Sequence, residues 1–182
     1  DYVFDALGHR VARRVGGVVT QRLLYLDGLR LAAELDASGT RLAAVYLYGS
    51  RRNVPDYVIT YGADGSQSGT FRIVTDHLGS PRVVVNTAPE AIMAGEAIMA
   101  SVRYDEWGNE QDYRARAGWR HLPFGYAGGL VDRDPTSGAL VTKLVHFGAR
   151  EYDPETRQWL TRDPSGFHGG SNLYGYVAGD PI

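Results

Sequence analysis

The feature that most constrains this fold is a loose repeat joining an aromatic residue to an aspartate and a turn. It occurs in YVFDALGHRV (2–11), VRYDEWGNEQ (102–111) and AREYDPETRQW (149–159), and YLDGLRLAAELDASGTRL (25–42) carries a related pattern. The ring can cover a neighbouring strand, and the Asp side chain can bond backbone N–H groups of the turn. Because such a unit is too small to bury its own apolar face, the repeat predicts a stacked or spiralling β-sheet rather than a compact sandwich.

The apolar residues between the turns recur with a period of two. The runs are QRLLYLDG (21–28), RLAAVYLYG (41–49), YVITYGADG (57–65), TFRIVTDHLG (70–79) and PRVVVNT (81–87). Gly, Asp, Asn, Ser or Pro bounds each run, and the chain contains 23 Gly and 12 Tyr in 182 residues. Short strands joined by tight turns suit this composition. We therefore predict an all-β chain, a string of β-hairpins that forms a solenoid-like sheet.

One segment departs from this pattern. APEAIMAGEAIMAS (88–101) contains EAIMA twice, at 90–94 and 96–100. Ala, Glu and Met favour a helix, but Gly95 weakens one by about 1 kcal/mol relative to Ala. We predict a mobile inserted loop of marginal helicity at a hairpin tip, with a functional binding loop as the alternative.

The composition argues against several classes of protein. The net charge of −2 argues against a protein that binds nucleic acid by neutralising phosphates. The absence of cysteine excludes disulfides and thiolate metal sites, and no apolar run approaches the roughly 20 residues of a membrane span. The start lacks the pattern of a signal peptide. It also lacks an initiator Met, and we expect both ends to be cut from a longer polypeptide.

Few residues stand out as candidate sites on their type alone. The histidines are scattered, without partners at i+3 or i+4, and we predict no metal and no cofactor. His77 in DHLG is a candidate metal or catalytic residue, although a turn residue is the better interpretation. A set of rings could either stack on sugars or pack on the sheet: Trp107, Trp119, Trp159, Tyr46, Tyr48, Tyr174 and Tyr176.

Eight motifs occur along the chain in a set order. They are YLYG (46–49), PDYVIT (55–60), DHLGSPRVVV (76–85), RYDEWGN (103–109), PFGYAGGLVD (123–132), FGAREYDPET (147–156), RDPSGF (162–167) and NLYGYVAGDPI (172–182). Together they resemble the Rhs/YD-repeat proteins, specifically the Rhs repeat-associated core domain, over nearly the whole chain. The resemblance implies a hollow β-shell of spiralling hairpins with a C-terminal plug. It divides the chain into YD-repeat hairpins at 1–75 and the core with its plug at 76–182, as one continuous unit.

The same resemblance implies a function. Such shells belong to polymorphic bacterial toxins and Tc toxin complexes, and they enclose a C-terminal toxic domain. The expected partners are the chain's own toxin domain, the remaining shell repeats and a secretion-system or chaperone protein, with no nucleic acid and no membrane span. The expected location is secreted or cell-surface, after synthesis in the bacterial cytoplasm. The alternatives are a cell-surface YD-repeat module that binds glycan or protein without proteolysis, and a non-catalytic scaffold for a delivery protein or chaperone.

Many members of the family also cleave themselves as aspartic proteases at two Asp-Pro-x-Gly-Leu motifs. DPSGF (163–167) matches the first motif, with Asp163 as the catalytic carboxylate and Arg162 as the basic residue before it. The family's spacing places the second motif just beyond Ile182. Peptide hydrolysis by carboxylates needs one ionised group and one protonated group.

Within the chain, Asp180 is a candidate for the second carboxylate, although it can equally be a turn residue. For Asp163 a turn residue is the alternative, and the resemblance favours the catalytic role. Arg162 could hold a carboxylate ionised or stabilise the developing oxyanion. The chain departs from the family pattern at Phe167, where Leu is usual, and at Arg157, where Gly is common. If that second position needs a positive φ, Arg157 costs on the order of 1 kcal/mol there.

Overall fold

The structure, a computed structural model, describes residues 1–119, 121–134, 137–148 and 150–181. Its first elements along the chain are ten strands and a one-turn helix. The strands are β1 (Tyr2–Phe4), β2 (Arg10–Val15), β3 (Val18–Tyr25), β4 (Leu31–Leu35), β5 (Leu42–Leu47), β6 (Tyr57–Tyr61), β7 (Gln67–Thr75), β8 (Pro81–Asn86), β9 (Ile98–Tyr104) and β10 (Glu110–Ala115). The helix α1 is Pro89–Met93.

These ten strands form one antiparallel sheet in chain order, from β1 at one edge to β10 at the other. Every strand pairs with the next one along the chain, so the sheet is a series of consecutive hairpins and is not closed into a barrel. This confirms the predicted fold class. A smaller sheet follows and contains β11 (Val145–Phe147), β12 (Arg150–Asp153) and β13 (Gln158–Trp159).

Three aspartates, two in the repeat and one in DHLGS, form turns of one geometry. In residues 5–9, 76–80 and 105–109, the Asp Oδ1 atom accepts hydrogen bonds from the backbone N–H groups two and four positions later, at 2.9–3.1 Å. The glycine three positions after each Asp has a φ of 85°, 94° and 91° respectively, which glycine adopts without steric cost. The role predicted for the aspartates is confirmed.

Residues 116–181, which we call the C-terminal segment, supply the apolar cover of the sheet. In the main core cluster, Trp119 and Phe124 of this segment pack with Tyr46, Val58 and Phe71 of the sheet. A second cluster is centred on three buried residues of the C-terminal segment, Tyr126, Val145 and Tyr152. The core therefore lies between one face of the sheet and the C-terminal segment.

Ion pairs join the C-terminal segment to β2, near the other end of the chain. Arg10 Nη2 donates to Glu151 Oε1 at 2.7 Å, and His146 Nδ1 lies 2.9 Å from the same oxygen. Arg13 Nε lies 3.1 Å from Asp132 Oδ1. Arg10 and Glu151 are 141 positions apart in sequence. These contacts fasten the C-terminal segment to the first hairpins of the sheet.

The Glu151 cluster should make stability depend on pH. Burial raises the pKa of Glu151, but the His146 hydrogen bond and the Arg10 charge outweigh it and hold that pKa below the ordinary 4.5. Because the folded-state pKa is lowered, this stability is present above about pH 4.5 and is lost as the pH falls through the folded-state pKa. We expect Glu151→Gln to lower the free energy of unfolding by about 1–3 kcal/mol at pH 7.

Urea unfolding between pH 3 and pH 7 tests this expectation, and the difference between parent and variant should shrink at the acid end. Glu155→Gln is the control, because Glu155 pairs with Lys143 at the exposed surface, where an ion pair contributes about 0–1 kcal/mol. A difference that stayed constant across the whole pH range would contradict the assigned role.

The duplicated segment is more ordered than its sequence predicts. The first EAIMA copy lies mainly in α1, which has no buried residue, and Met93 is 88% exposed. The second copy enters β9, where Ala100 pairs with Val84 and is only 1% exposed. The prediction of a loop over 88–101 is therefore wrong from Ile98 onward, because pairing with β8 and burial override the helical preference of these residues.

Candidate functional site

Asp163 lies in a turn like those of the repeat. Its Oδ1 atom accepts hydrogen bonds from the Ser165 backbone N–H at 2.8 Å and the Ser165 hydroxyl at 2.6 Å. Gly166, three positions after Asp163, has a φ of 62° and donates its N–H to the Asp163 carbonyl at 3.0 Å. The turn itself therefore orients one oxygen of the carboxylate.

An arginine from β12 orients the other oxygen. Arg150 Nη1 donates to Asp163 Oδ2 at 2.9 Å, and both side chains are about three-quarters buried. The Arg150 guanidinium carbon lies 3.9 Å from the centre of the Trp159 ring. That ring in turn contacts three others edge-on at 5.5–5.8 Å, namely Phe147, Tyr152 and Tyr176. Arg150 is thus held by an aromatic cluster.

These contacts favour the ionised form of Asp163. The Ser165 hydrogen bonds lower the pKa of the carboxyl most, and the charge and hydrogen bond of Arg150 lower it further, so that it lies below the ordinary 3.8. The carboxylate is charged at neutral pH.

Among the described residues, the Asp163 carboxylate is bound by Ser165 and Arg150 and not by the other two predicted catalytic residues. Arg162 is exposed, and its Nε donates to the Tyr174 hydroxyl at 3.2 Å. Asp180 is exposed, and its side chain makes no hydrogen bond or ion pair with any residue that the structure describes. No such contact joins Asp163 to Arg162 or to Asp180 within the described ranges. The catalytic roles of these three residues remain predictions.

The sequence did not predict that Arg150 binds the Asp163 carboxylate. Arg150 lies in the FGAREYDPET motif, so the motif marked the right region, but the partner predicted for the carboxylate was the adjacent Arg162. The actual contact depends on the hairpin between β12 and β13, which brings Arg150 and Trp159 together. Two backbone hydrogen bonds join this region to residues 173–174. The Trp159 N–H donates to the Tyr174 carbonyl at 2.9 Å, and the Asp163 N–H donates to the Leu173 carbonyl at 2.8 Å.

Arg157 meets the condition that the sequence analysis set for a backbone cost. Its φ is 62°, in the left-handed region, so its side chain costs on the order of 1 kcal/mol there. The guanidinium carbon lies 4.7 Å from the centre of the Trp107 ring, and this contact offsets part of the backbone cost.

The aromatic residues do not form one exposed strip. Tyr46 and Trp119 belong to the main core cluster, whereas Trp159 and Tyr176 pack in the second cluster. Sheet and core packing therefore accounts for these four rings.

Two further features are absent from the residues that the structure describes. Their His, Asp and Glu side chains do not gather in groups of three or more suited to a metal ion. Over the same ranges, no helix combines the length and apolarity that crossing a membrane requires.

A second polar cluster lies beneath the sheet, away from Asp163. Glu34 on β4 is only 4% exposed, accepts a hydrogen bond from the Tyr46 hydroxyl and faces His121, whose Nδ1 is 3.7 Å from Glu34 Oε2. Burial raises the pKa of Glu34, but the interactions with His121 and Tyr46 outweigh it and lower that pKa overall. A cavity of about 280 Å³ adjoins Glu34, with Trp119 and Arg133 also in its wall.

This chain is similar to much longer proteins over nearly its whole length. Double-stranded DNA deaminase toxin A of Burkholderia cenocepacia (strain H111) is 26% identical over 200 residues, covering 97% of this chain and 13% of that protein. Teneurin-3 of Danio rerio is 27% identical over 195 residues, covering 100% of this chain and 6% of teneurin-3. The chain thus corresponds to a small part of each relative.

Solved structures share the fold. The crystal structure of TcdB2-TccC3 has a TM-score of 0.64 at 20% identity, covering 99% of this chain and 8% of the matched chain. The Photorhabdus luminescens Tc holotoxin pore has the same TM-score of 0.64 at 19% identity, covering 100% of this chain and 8% of the matched chain. The family model described as Teneurin YD-shell matches residues 1–180. With its ten consecutive hairpin-paired strands and its repeated Asp turns, the chain belongs to the Teneurin YD-shell family.

Proposed function

We propose that this chain is a section of a hollow shell that encloses a toxic domain in the full-length protein. The observation that carries the proposal is the open ten-stranded sheet of a YD-shell family member, with its C-terminal segment packed on one face. An open antiparallel sheet can be continued at either edge by further hairpins, as a shell wall requires. A relative named as a toxin, 26% identical over 97% of the chain, supports the toxin context.

The partners and location follow from the same proposal. The shell repeats and a toxic domain of the same polypeptide would be the direct partners, and a secretion-system or chaperone protein would be an external one. The protein would be made in the bacterial cytoplasm and act outside the producing cell or at its surface. We retain the division into hairpins at 1–75 and a core with its plug at 76–182 as part of this proposal.

We further propose that Asp163 is the ionised carboxylate of a self-cleaving pair. In such a pair, the ionised carboxylate takes a proton from water, whose oxygen bonds to the scissile carbonyl carbon, while the second carboxyl gives its proton to the carbonyl oxygen. The carbonyl then re-forms and returns a proton to the second carboxyl. Asp163 passes its proton to the leaving nitrogen as the C–N bond breaks. The contacts of Asp163 with Ser165 and Arg150 support the ionised role.

Two measurements on the full-length protein test the two parts of the proposal. The intact mass of the freshly made protein tests self-cleavage, and limited proteolysis tests enclosure. We expect one internal cut after the core, with the released C-terminal domain still co-eluting with the shell and resisting added protease until the shell is denatured. If the C-terminal domain is digested before the shell, enclosure is wrong. If the freshly made protein keeps its full mass, self-cleavage is wrong while enclosure can still hold.

A further inference from the structure

The cavity of about 280 Å³ beside Glu34 lies between the sheet and the C-terminal segment. On the sheet side its wall contains Gln21 of β3 and Glu34 of β4. On the other side it contains Trp119 and Arg133 of the C-terminal segment. Thr20, which also lines the cavity, is exposed, so the cavity reaches the protein surface. Small-molecule pockets have volumes of about 300–1,000 Å³, and this cavity therefore suits a small ligand.

Two buried nitrogen atoms of this wall have no hydrogen-bond partner among the described residues. They are Trp119 Nε1 and Arg133 Nε. Trp119 is 7% exposed, and the Arg133 side chain is 9% exposed. The other nitrogens of Arg133 are in use, because Nη1 and Nη2 both donate to the Glu110 carboxylate. Native folds rarely leave a buried N–H group unpaired, since the group has lost its bonds to water.

The partner that these nitrogens lack is an acceptor. An indole and a guanidinium carry donors and no acceptor. A third nitrogen of the wall, His121 Nδ1, also has no hydrogen-bond partner, and it lies 3.7 Å from Glu34 Oε2. An imidazole nitrogen can donate as well. A carbonyl oxygen, which has two acceptor positions and no proton of its own, matches such a set of donors.

The charges of the wall favour an uncharged ligand. Three carboxylates line the cavity, those of Glu34, Asp36 and Asp134. Both described arginines of the wall are engaged by other carboxylates, since Arg13 Nε lies 3.1 Å from Asp132 Oδ1 and Arg133 binds Glu110. An anion in the cavity would therefore be repelled by the three carboxylates. A neutral amide avoids this repulsion, and its N–H groups can donate to the same carboxylates.

We infer that this cavity binds an uncharged small molecule of the amide class, whose carbonyl oxygens accept hydrogen bonds from Trp119 Nε1 and Arg133 Nε. The ligand contacts both the sheet and the C-terminal segment, so it holds the segment on the sheet. Because it binds the folded chain, it raises the stability of that state. The inference depends neither on self-cleavage nor on the enclosure of a toxic domain.

Succinamide and succinate are the two probes of the experiment. They have the same number of non-hydrogen atoms, but succinamide is a neutral diamide and succinate is a dianion at neutral pH. Binding to the full-length protein is measured by isothermal titration calorimetry, and the melting temperature is measured with and without each probe. We expect succinamide to bind and to raise the melting temperature. Succinate should bind at least about tenfold more weakly, because like charges are brought together.

Three variants locate the binding site. Trp119→Phe keeps an aromatic ring but removes the N–H group, and we expect it to weaken succinamide binding about 3- to 10-fold. Trp107→Phe is the matched control, because it makes the same change at a ring that does not line the cavity, and the affinity should stay unchanged. Ala43→Leu places a larger side chain in the cavity wall without changing a donor, and it should abolish binding. If Ala43→Leu does not fold, Trp119→Phe decides the question.

Several results would overturn the inference. If succinamide does not bind, the cavity is filled by water. If succinate binds as tightly as succinamide or more tightly, the charge argument is wrong and the site is not one for neutral amides. If Trp119→Phe leaves the affinity for succinamide unchanged, the probe binds elsewhere. An equal loss in Trp119→Phe and Trp107→Phe would show a general effect of the substitution instead of a lost hydrogen bond in the cavity.

Discussion

Asp163→Asn should slow self-cleavage of the full-length protein by at least about 100-fold, because a neutral amide cannot act as the base that takes a proton from water. The substitution keeps the shape of the side chain. The Asn oxygen can still accept the Ser165 backbone N–H that Asp163 accepts at 2.8 Å, so the turn should persist. The measurement is the intact mass of parent and variant over time, with the fraction of full-length chain as the readout.

Asp64→Asn is the matched control for this prediction. Asp64 Oδ1 accepts the Ser66 N–H at 3.0 Å and the Ser66 hydroxyl at 2.7 Å, the same pair of contacts that Ser165 gives Asp163. Asp64 has no arginine partner among the ion pairs of the described residues. We expect this variant to cleave like the parent. Cleavage of Asp163→Asn at the parent rate would make Asp163 a turn residue, and an equal loss in both variants would point to folding instead.

Gly108→Ala should lower the free energy of unfolding of the chain by about 2–4 kcal/mol. The backbone of Gly108 has a φ of 91°, where a side chain costs about 1 kcal/mol. A Cβ atom there would stand 2.3 Å from Cγ of the Tyr126 ring. That ring is 2% exposed, and its hydroxyl donates to the Glu106 carbonyl at 3.0 Å, so it has little room to move. Overpacking of this kind adds about 1–3 kcal/mol.

Gly8→Ala isolates the backbone part of this effect. Gly8 occupies the same position of the same turn type, with a φ of 85°, but no atom lies within 4 Å of the Cβ it would gain. Chemical denaturation of both variants should show a cost of about 1 kcal/mol for Gly8→Ala, clearly smaller than for Gly108→Ala. Equal costs would mean that the Tyr126 ring yields and that packing against the turn contributes nothing.

The turns were predictable because their geometry is local. An aspartate and a glycine three positions later suffice, since the carboxylate bonds N–H groups of its own turn and the glycine accepts the positive φ. DALGH, DHLGS and DEWGN accordingly adopt one geometry in the structure. The alternation of apolar residues predicted the strands for the same reason, because side chains alternate between the faces of a strand.

Arg150 was not predictable in this way. Asp163 is preceded directly by an arginine, and nothing in the local pattern indicates that a second arginine, 13 positions earlier, makes the contact instead. The choice depends on the packing of β12 against β13, which aims Arg150 across Trp159 toward Asp163. The pairing of Arg10 with Glu151, 141 positions apart, depends in the same way on how the C-terminal segment lies against the first hairpins.

The two EAIMA copies show most clearly which features the sequence determines and which depend on the tertiary structure. By itself the sequence determined that the chain is a series of hairpins with Asp–Gly turns, because these features arise within a few residues. It could not determine that residues 90–94 would lie mainly in a helix while the identical residues 96–100 would enter a strand. Only the tertiary structure decided that, because β8 offers hydrogen bonds and the core offers burial to the second copy alone.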